Sequence, residues 1–222
     1  MNNKDSLVTT AYQAIYRKII TLEYAPGKQL GEKLLVTDLG IGRTPIREAL
    51  RSLEADMLVE SQPKKGVIVR PVTLQNTRAV FSALEILETG VAALACRGDH
   101  SQECQNMQKA NQQLASAVES LDILSIVDSN SEFHAAFSHC SDNIYLTEAL
   151  RKTRCEADRL AYLSFNNEIG SEQPLRDHYA NVIAQHQTII SLIISRDISA
   201  LQEMIRKHIT VFKQRIMLYL SS

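Results

Sequence analysis

Two arginines four residues apart, Arg43 and Arg47, bracket a Thr-Pro pair in the run Gly40-Ile41-Gly42-Arg43-Thr44-Pro45-Ile46-Arg47-Glu48-Ala49-Leu50. At that spacing both guanidinium groups occupy one face at the front of a helix. Each can donate two hydrogen bonds to O6 and N7 of a guanine in a DNA major groove, worth about 1–3 kcal/mol of discrimination apiece. The Thr44 hydroxyl and the unpaired N–H groups of the helix start suit a phosphate. Lys33, upstream, is placed to reach the backbone or an edge base. Lys64, Lys65 and Gly66 form a basic tip at which glycine permits a tight turn and close approach to a groove. Taken singly each is an ordinary solvated residue; together they form a DNA-reading set.

A second set lies further along. Of six histidines, His134, His186 and His208 sit inside apolar-periodic segments. Neutral imidazole is the commonest transition-metal ligand, and one histidine from each of three neighbouring helices could converge in a bundle core. A lone helical histidine is more often satisfied by a core or surface partner, and the residues alone leave both readings open. Asn130 precedes His134 by four residues, so both can face one cavity, whereas Asp128 should face elsewhere. His178, eight residues before His186, could lie near the same site but is expected at the surface. Arg154 and Arg159 could anchor an anionic effector, although surface salt bridges account for them equally well.

The elements that must position these groups follow from periodicity. Leu7, Ala11, Ile15, Ile19 and Leu22 predict a helix from about Ser6 to Glu23, stopped by Ala25-Pro26-Gly27. A short helix is expected over Glu32–Leu39, with Leu34, Leu35 and Leu39 inward and Gly40 ending it. A third helix is expected to start at Thr44-Pro45, with Thr44 as N-cap and an apolar face of Ile46, Ala49, Leu50 and Leu53. Val59-Glu60-Ser61 and Val67-Ile68-Val69 read as two strands around the basic tip. Three helices and a β-hairpin make a winged helix-turn-helix over residues 1–72, with Arg70-Pro71-Val72 as linker. Residues 73–222 read as helical, near 74–97, 101–119, 122–139, 143–166, 172–194 and 197–220. One of the breaks falls at Gly170 to Pro174. Short connections predict an antiparallel six-helix bundle, so the chain is mainly α. The segment 101–119 is the most polar and is expected at the periphery.

Composition narrows the class. The 222 residues carry a net charge of −1, but residues 1–75 hold 11 Lys/Arg against 8 Asp/Glu while the remainder holds 13 against 17. A basic head on an acidic body fits a chain whose N-terminal part meets a polyanion. Near-neutral total charge disfavours an architectural DNA-binding protein, which leans on much stronger positive charge. Cys96, Cys104, Cys140 and Cys155 lack Cys-x-x-Cys spacing and read as reduced thiols. No apolar leader follows the polar N-terminus and no run has the length of a membrane span, so a cytoplasmic protein without membrane contact is expected.

The run 40–51, with Pro26-Gly27-Lys28-Gln29-Leu30 before it and Pro63-Lys64-Lys65-Gly66-Val67 after it, resembles the GntR family of transcription regulators. The resemblance implies major-groove reading by Arg43 and Arg47, a phosphate contact at Thr44 and minor-groove insertion of the wing at Gly66. Gly42 stands where the family usually has serine or threonine, Gly31 where it has a capping serine, and Lys33 where many members have arginine. Lysine is a point charge and does not read bidentately.

Leu84-Glu85-Ile86-Leu87-Glu88, Asn130-Ser131-Glu132-Phe133-His134, Gln185-His186-Gln187 and the stretch from Asp197 to His208-Ile209 resemble the FCD ligand-binding domain of the FadR subfamily. Six helices are similar to its smaller, VanR-like variant. The resemblance implies a divalent metal, often zinc, on His134, His186 and His208 beside an effector cavity. Asn130 stands at the family's aspartate, and Leu84 at an arginine that meets organic-acid effectors. Three imidazoles and an amide oxygen suit zinc or nickel.

These readings predict a homodimeric, ligand-responsive regulator, a repressor of a metabolic operon. Its partners are double-stranded operator DNA and a small-molecule metabolite. Two half-sites on one duplex face require two reading heads. The alternative is a metal-dependent hydrolase with a DNA-binding head, which three histidines and an open position would permit. No carboxylate base accompanies those histidines in the sequence.

Overall fold

The computed structural model describes residues 3–166 and 175–221, and divides into two compact units, Met1–Thr73 and Leu74–Ser222. The first unit runs α1 (Asn3–Ile20), α2 (Glu32–Leu39), α3 (Arg43–Ala55), β1 (Val59–Gln62) and β2 (Gly66–Val69). The second runs α4 (Leu74–Ala95), α5 (Ser101–Ser120), α6 (Ile123–His139), α7 (Ile144–Asn166), α8 (Leu175–Ser195) and α9 (Ile198–Ser221). The break expected from Gly170 to Pro174 lies outside the described residues. No described helix is long and apolar enough to cross a membrane.

In the first unit α1 and α2 both pack on α3. Ala11, Ile15 and Ile19 of α1, Leu35 of α2, and Ile46, Ala49 and Leu53 of α3 are fully buried. That is the 3.6-residue stripe which an amphipathic helix must hide. Gly40 ends α2 at φ 66°, its N–H bonded to the Val36 carbonyl. A left-handed position of this kind costs a residue with a Cβ about 1–2 kcal/mol.

Three local expectations need correction. Gly42, not Thr44, is the N-cap of α3, in extended backbone and without a side-chain cap. Arg43, Thr44 and Pro45 are therefore the first three helical residues. Leu34 is 45% exposed, because Leu35 one position on takes the core-facing site of a two-turn helix. α1 ends at Ile20 and Leu22 adopts φ 62°, so the apolar stripe outlasts the helix by two residues. At its other end Leu7 is 42% exposed.

β1 and β2 pair antiparallel, Val59 opposite Val69 and Gln62 opposite Gly66, leaving Pro63-Lys64-Lys65 as the tip. Lys64 and Gly66 both have positive φ, 66° and 73°. The sequence reading missed a further backbone pairing. Leu30 donates to the Val67 carbonyl and Val69 to that of Lys28, both within 2.9 Å, so Lys28–Leu30 edges the hairpin. The Gln29 side-chain amide also donates to the Lys65 carbonyl and ties the tip to that edge.

In the second unit α4 packs on α7 and α9, and α6 on α5 and α7. α8 lies against α5 and α9. α5, the most polar helix, still buries Cys104, Met107, Ala110, Asn111, Leu114, Ala117 and Val118 against those two partners. All four cysteines are buried and unbridged. Burial pushes the Cys140 thiol up to about 12, so it is a packing group and not a nucleophile.

Candidate nucleic-acid interface and histidine centre

α3 presents Arg43, Thr44 and Arg47 to solvent while Ile46, Ala49, Leu50 and Leu53 hold it to the core. The first turn of a helix has no internal partners for its N–H groups. Pro45 has no N–H, so the donors offered at this end are those of Arg43 and Thr44. Without a hydroxyl at Gly42, these two amides and the Thr44 side chain are what a phosphate would meet. Lys33, Lys64, Lys65 and Gly66 are all exposed as well.

Arg47 has a partner that sequence reading did not single out. Its Nε donates to Glu32 Oε1 at 2.6 Å, across from the start of α2. The bond lowers the Glu32 carboxyl and raises the Arg47 guanidinium. Bonding through Nε leaves both terminal nitrogens for a base edge and fixes the direction of the fork. The signal was present, since Glu32 opens α2, but its partner lies fifteen positions away on another helix.

In the second unit α6, α8 and α9 deliver His134, His186 and His208 to one point. Their candidate ligand nitrogens all lie within 4.8 Å of one another, and all three side chains are buried. His208 Nδ1 donates to Gln185 Oε1 at 2.8 Å, and His186 Nδ1 to Asn111 Oδ1 at 3.1 Å. The Asn111 amide nitrogen donates in turn to the Ile183 carbonyl, which fixes its orientation. Both rings therefore aim an Nε2 lone pair inward. His186 Nε2 is buried with no partner. His208 Nε2 lies 3.3 Å from His134 Nε2, close to the roughly 3.3 Å that separates two nitrogens sharing a tetrahedral zinc. Asn111 and Gln185 act on the outer ring nitrogens of histidines, as supporting residues of metal sites do.

Burial, the Arg154 guanidinium and the neighbouring histidines hold His134 well below its ordinary pKa. Burial and the same neighbours lower His186. Burial and Arg154 bring His208 down to about 3. All three are neutral near pH 7, the state in which imidazole ligates.

The centre opens on a cavity of about 30 Å³ lined by Leu84, Asn130, Asp158, Phe165, His178, Tyr179 and Phe212, among others. That space holds an ion with two or three waters, or a very small ligand. Asn130 lines it as expected. Arg154 does too, but as a buried cation paired with Glu88, not as a surface salt bridge. Arg159 is corrected: it is fully buried, bonds Glu156 at 2.6 Å, and is not among the cavity-lining residues. His178 is corrected as well. It is buried at the cavity wall between Phe165 and Tyr179, because α8 turns the same face inward at 178, 182 and 186.

Burial and then Arg215 lower His178 to about 4. An unfolded histidine titrates near 6.5, so between about pH 6.5 and 4 only the unfolded chain takes up its proton. Stability is therefore full above pH 6.5 and falls as the pH drops towards 4, by up to about 1.4 kcal/mol per pH unit for each such histidine. His178→Gln should make the slope of a urea-unfolding stability profile shallower by one proton. An unchanged slope would show that His178 is already charged in the fold.

Comparison with known proteins bears on both units. Residues 7–69 match the family described as bacterial regulatory proteins of the gntR family, and residues 79–211 match the FCD domain. The chain is a GntR-family regulator with an FCD domain. This GntR regulator is 23% identical over 205 residues to the HTH-type transcriptional repressor RspR of Escherichia coli strain K12, covering 92% of this chain and 86% of that protein. To the HTH-type transcriptional repressor GlaR of the same organism it is 27% identical over 204 residues, covering 89% and 90%. The solved structure of E. coli McbR/YncC superposes with a TM-score of 0.80 at 22% identity, covering 100% of this chain and 99% of that one. The GntR regulator's function is thus DNA-binding transcription regulation through a ligand-binding FCD domain. The hydrolase alternative finds no support among the family or its relatives.

Proposed function

We propose that the protein is a cytoplasmic, homodimeric repressor of a metabolic operon whose operator affinity is set by a small metabolite in the bundle. In this reading Arg43 and Arg47 read guanines, and Thr44 and Lys33 hold phosphates. Lys64, Lys65 and Gly66 carry the wing into a neighbouring groove. The observation that carries the reading is the joint exposure of Arg43 and Arg47 on one face of a helix whose other face is fully buried. RspR and GlaR, both named repressors, support the sign of regulation.

His134, His186 and His208, with the Asn130 amide oxygen, would hold a divalent metal, zinc or nickel. The orphaned His186 Nε2 supports this assignment. Asn130 adds no negative charge, so the affinity should be lower than an aspartate there would give. The metal would supply a Lewis-acidic contact for the effector. Linkage requires that an effector which weakens DNA binding be weakened by DNA to the same degree.

A gel-shift titration against the duplex upstream of the protein's own reading frame tests the proposal. Selective retardation that a metabolite relieves is expected; equal affinity for unrelated duplex would remove it. Lys64→Ala should reduce the slope of log affinity against log salt by about 0.9, one phosphate contact, without changing sequence preference. An unchanged slope would take Lys64 out of the interface.

A further inference from the structure

One stretch of chain in the first unit reaches by side-chain bonds to both DNA-reading parts. Gln29 Nε2 donates to the Lys65 carbonyl, the peptide that joins Lys65 to Gly66 at the wing tip. Glu32 Oε1 accepts from Arg47 Nε at 2.6 Å, and Arg43 acts on the same carboxylate through space. Only Leu30 and Gly31 lie between Gln29 and Glu32. The stretch is anchored along its length. Gly27 and Leu30 donate to the Val69 and Val67 carbonyls, each at 2.8 Å, and the Leu30 side chain is buried. Gly31, extended at φ −74°, ψ 137°, leads straight into α2.

Stability does not account for these two bonds. The Glu32 and Arg47 side chains are 37% and 59% exposed, and such an ion pair contributes little in water. Gln29 is exposed as well. General affinity for DNA does not account for Glu32 either, because a carboxylate there offsets one positive charge against phosphate, whatever the sequence. What the carboxylate supplies is direction. A guanidinium can meet a guanine end-on through Nη1 and Nη2, or side-on through Nε and Nη2. With Nε committed to Glu32, only the end-on fork remains, and its swing towards phosphate is restrained. The Gln29 bond likewise fixes a peptide of the wing tip, next to Lys64 in left-handed backbone at φ 66°.

We infer that Gln29 and Glu32 are positioning residues for DNA recognition, a single brace that sets the wing tip and the Arg47 fork at a fixed spacing. The brace raises sequence discrimination while lowering affinity for duplex in general. It acts through Arg47 and the Lys65–Gly66 peptide, not on a base. The inference rests on the assignment of α3 and the wing given above, and adds the residues that decide how sharply those parts read.

The experiment uses the full-length protein, the duplex that the wild type enriches from a random library, and a scrambled duplex of the same composition. Binding is titrated by fluorescence anisotropy across a salt series. Glu32→Gln should bind the scrambled duplex more tightly, steepen the slope of log affinity against log salt by about 0.9, and lose about tenfold in preference for the selected site. Glu32→Asp keeps the charge but draws it back by one methylene. It should therefore lose preference with no change in scrambled-duplex affinity or salt slope. In an Arg47→Ala background, Glu32→Gln should instead raise affinity for both duplexes equally. Gln29→Ala should lose about threefold in affinity for the selected site, and nothing further when Lys64 and Lys65 are already alanine. Thermal melting confirms that each variant is folded. Unchanged preference in both Glu32 variants, or the same loss from Gln29→Ala with and without the wing lysines, overturns the brace and leaves α3 as the reading helix. Enrichment of no site by the wild type overturns the reading-helix assignment and the brace together.

Discussion

Replacing Arg43 and Arg47 together with alanine should abolish operator preference and leave the fold intact. Both side chains are exposed, and neither belongs to the buried face of α3. Each bidentate arginine–guanine pair is worth about 1–3 kcal/mol of discrimination, so the two together account for roughly 30-fold to more than 10⁴-fold between operator and unrelated duplex. The single variants should not be equivalent. Arg47→Ala strands the Glu32 carboxylate that Arg47 now neutralises and leaves a negative charge facing phosphate, whereas Arg43 acts on Glu32 only through space. Arg47→Ala should therefore cost more than Arg43→Ala, and adding Glu32→Gln should restore part of the difference. Arg47→Lys keeps charge but not the planar fork, so it should retain non-specific binding and lose specificity. Competition gel shifts with operator and scrambled duplex, at one fixed salt, separate these cases. Thermal melting should differ little among the variants, because surface substitutions away from caps and cores generally cost under about 0.5 kcal/mol.

The second large effect is expected at the histidine centre. Zinc at about one hundred times its dissociation constant should stabilise the wild-type protein by about 2.7 kcal/mol. In a domain of this size that raises Tm by roughly 5–10 °C. His186→Ala should erase the rise, since it removes the inward Nε2 that has no other partner. EDTA should return the wild type to its metal-free Tm and leave the variant unmoved. His186 also stacks on Phe133, ring centroids 3.6 Å apart, so the alanine variant will melt lower even without metal. The diagnostic quantity is the zinc-induced difference, not the absolute Tm. His186→Gln keeps more of the packing and should show the same loss of response. A full zinc response in either variant would place the ion elsewhere.

Much of this architecture was legible because hydrophobic period and breaker residues agree. Ile46, Ala49, Leu50 and Leu53 mark the buried face of α3 unambiguously, and that face dictates where Arg43 and Arg47 must point. Periodicity placed the three histidines inside long apolar helices but left their convergence open; only the family resemblance pointed to it. What was not legible depends on contacts between segments. Nothing local distinguishes Leu34 from Leu35, and only packing on α3 decides which is buried. Thr44 is a better intrinsic N-cap than Gly42, yet the chain places glycine there. Gly42 is already extended at φ −64°, ψ 162°, so the helix starts two residues earlier without a side-chain cap. Lys28–Leu30 is too short to show any period, and its pairing to β2 exists only through backbone bonds. His178 reads as polar by type, but its position two turns before His186 puts it on the inward face of α8.

The support around the site was the least legible part. Asn111, Gln185 and Glu88 carry no metal-ligand spacing. Their roles appear only when α5, α8 and α4 bring them against the outer nitrogens of the histidines or against Arg154. Arg154 and Arg159, five residues apart, looked interchangeable. The rotation of α7 puts one at the cavity and the other against Glu156.

In vitro selection of a random duplex library by the purified full-length protein tests the central claim most directly. The wild type should enrich a two-fold symmetric site with a guanine in each half. The Arg43→Ala/Arg47→Ala variant, at equal concentration and salt, should enrich nothing above background. Enrichment of no sequence by the wild type, or of the same symmetric site by the variant, would contradict the assignment of α3 as the reading helix of a dimeric regulator.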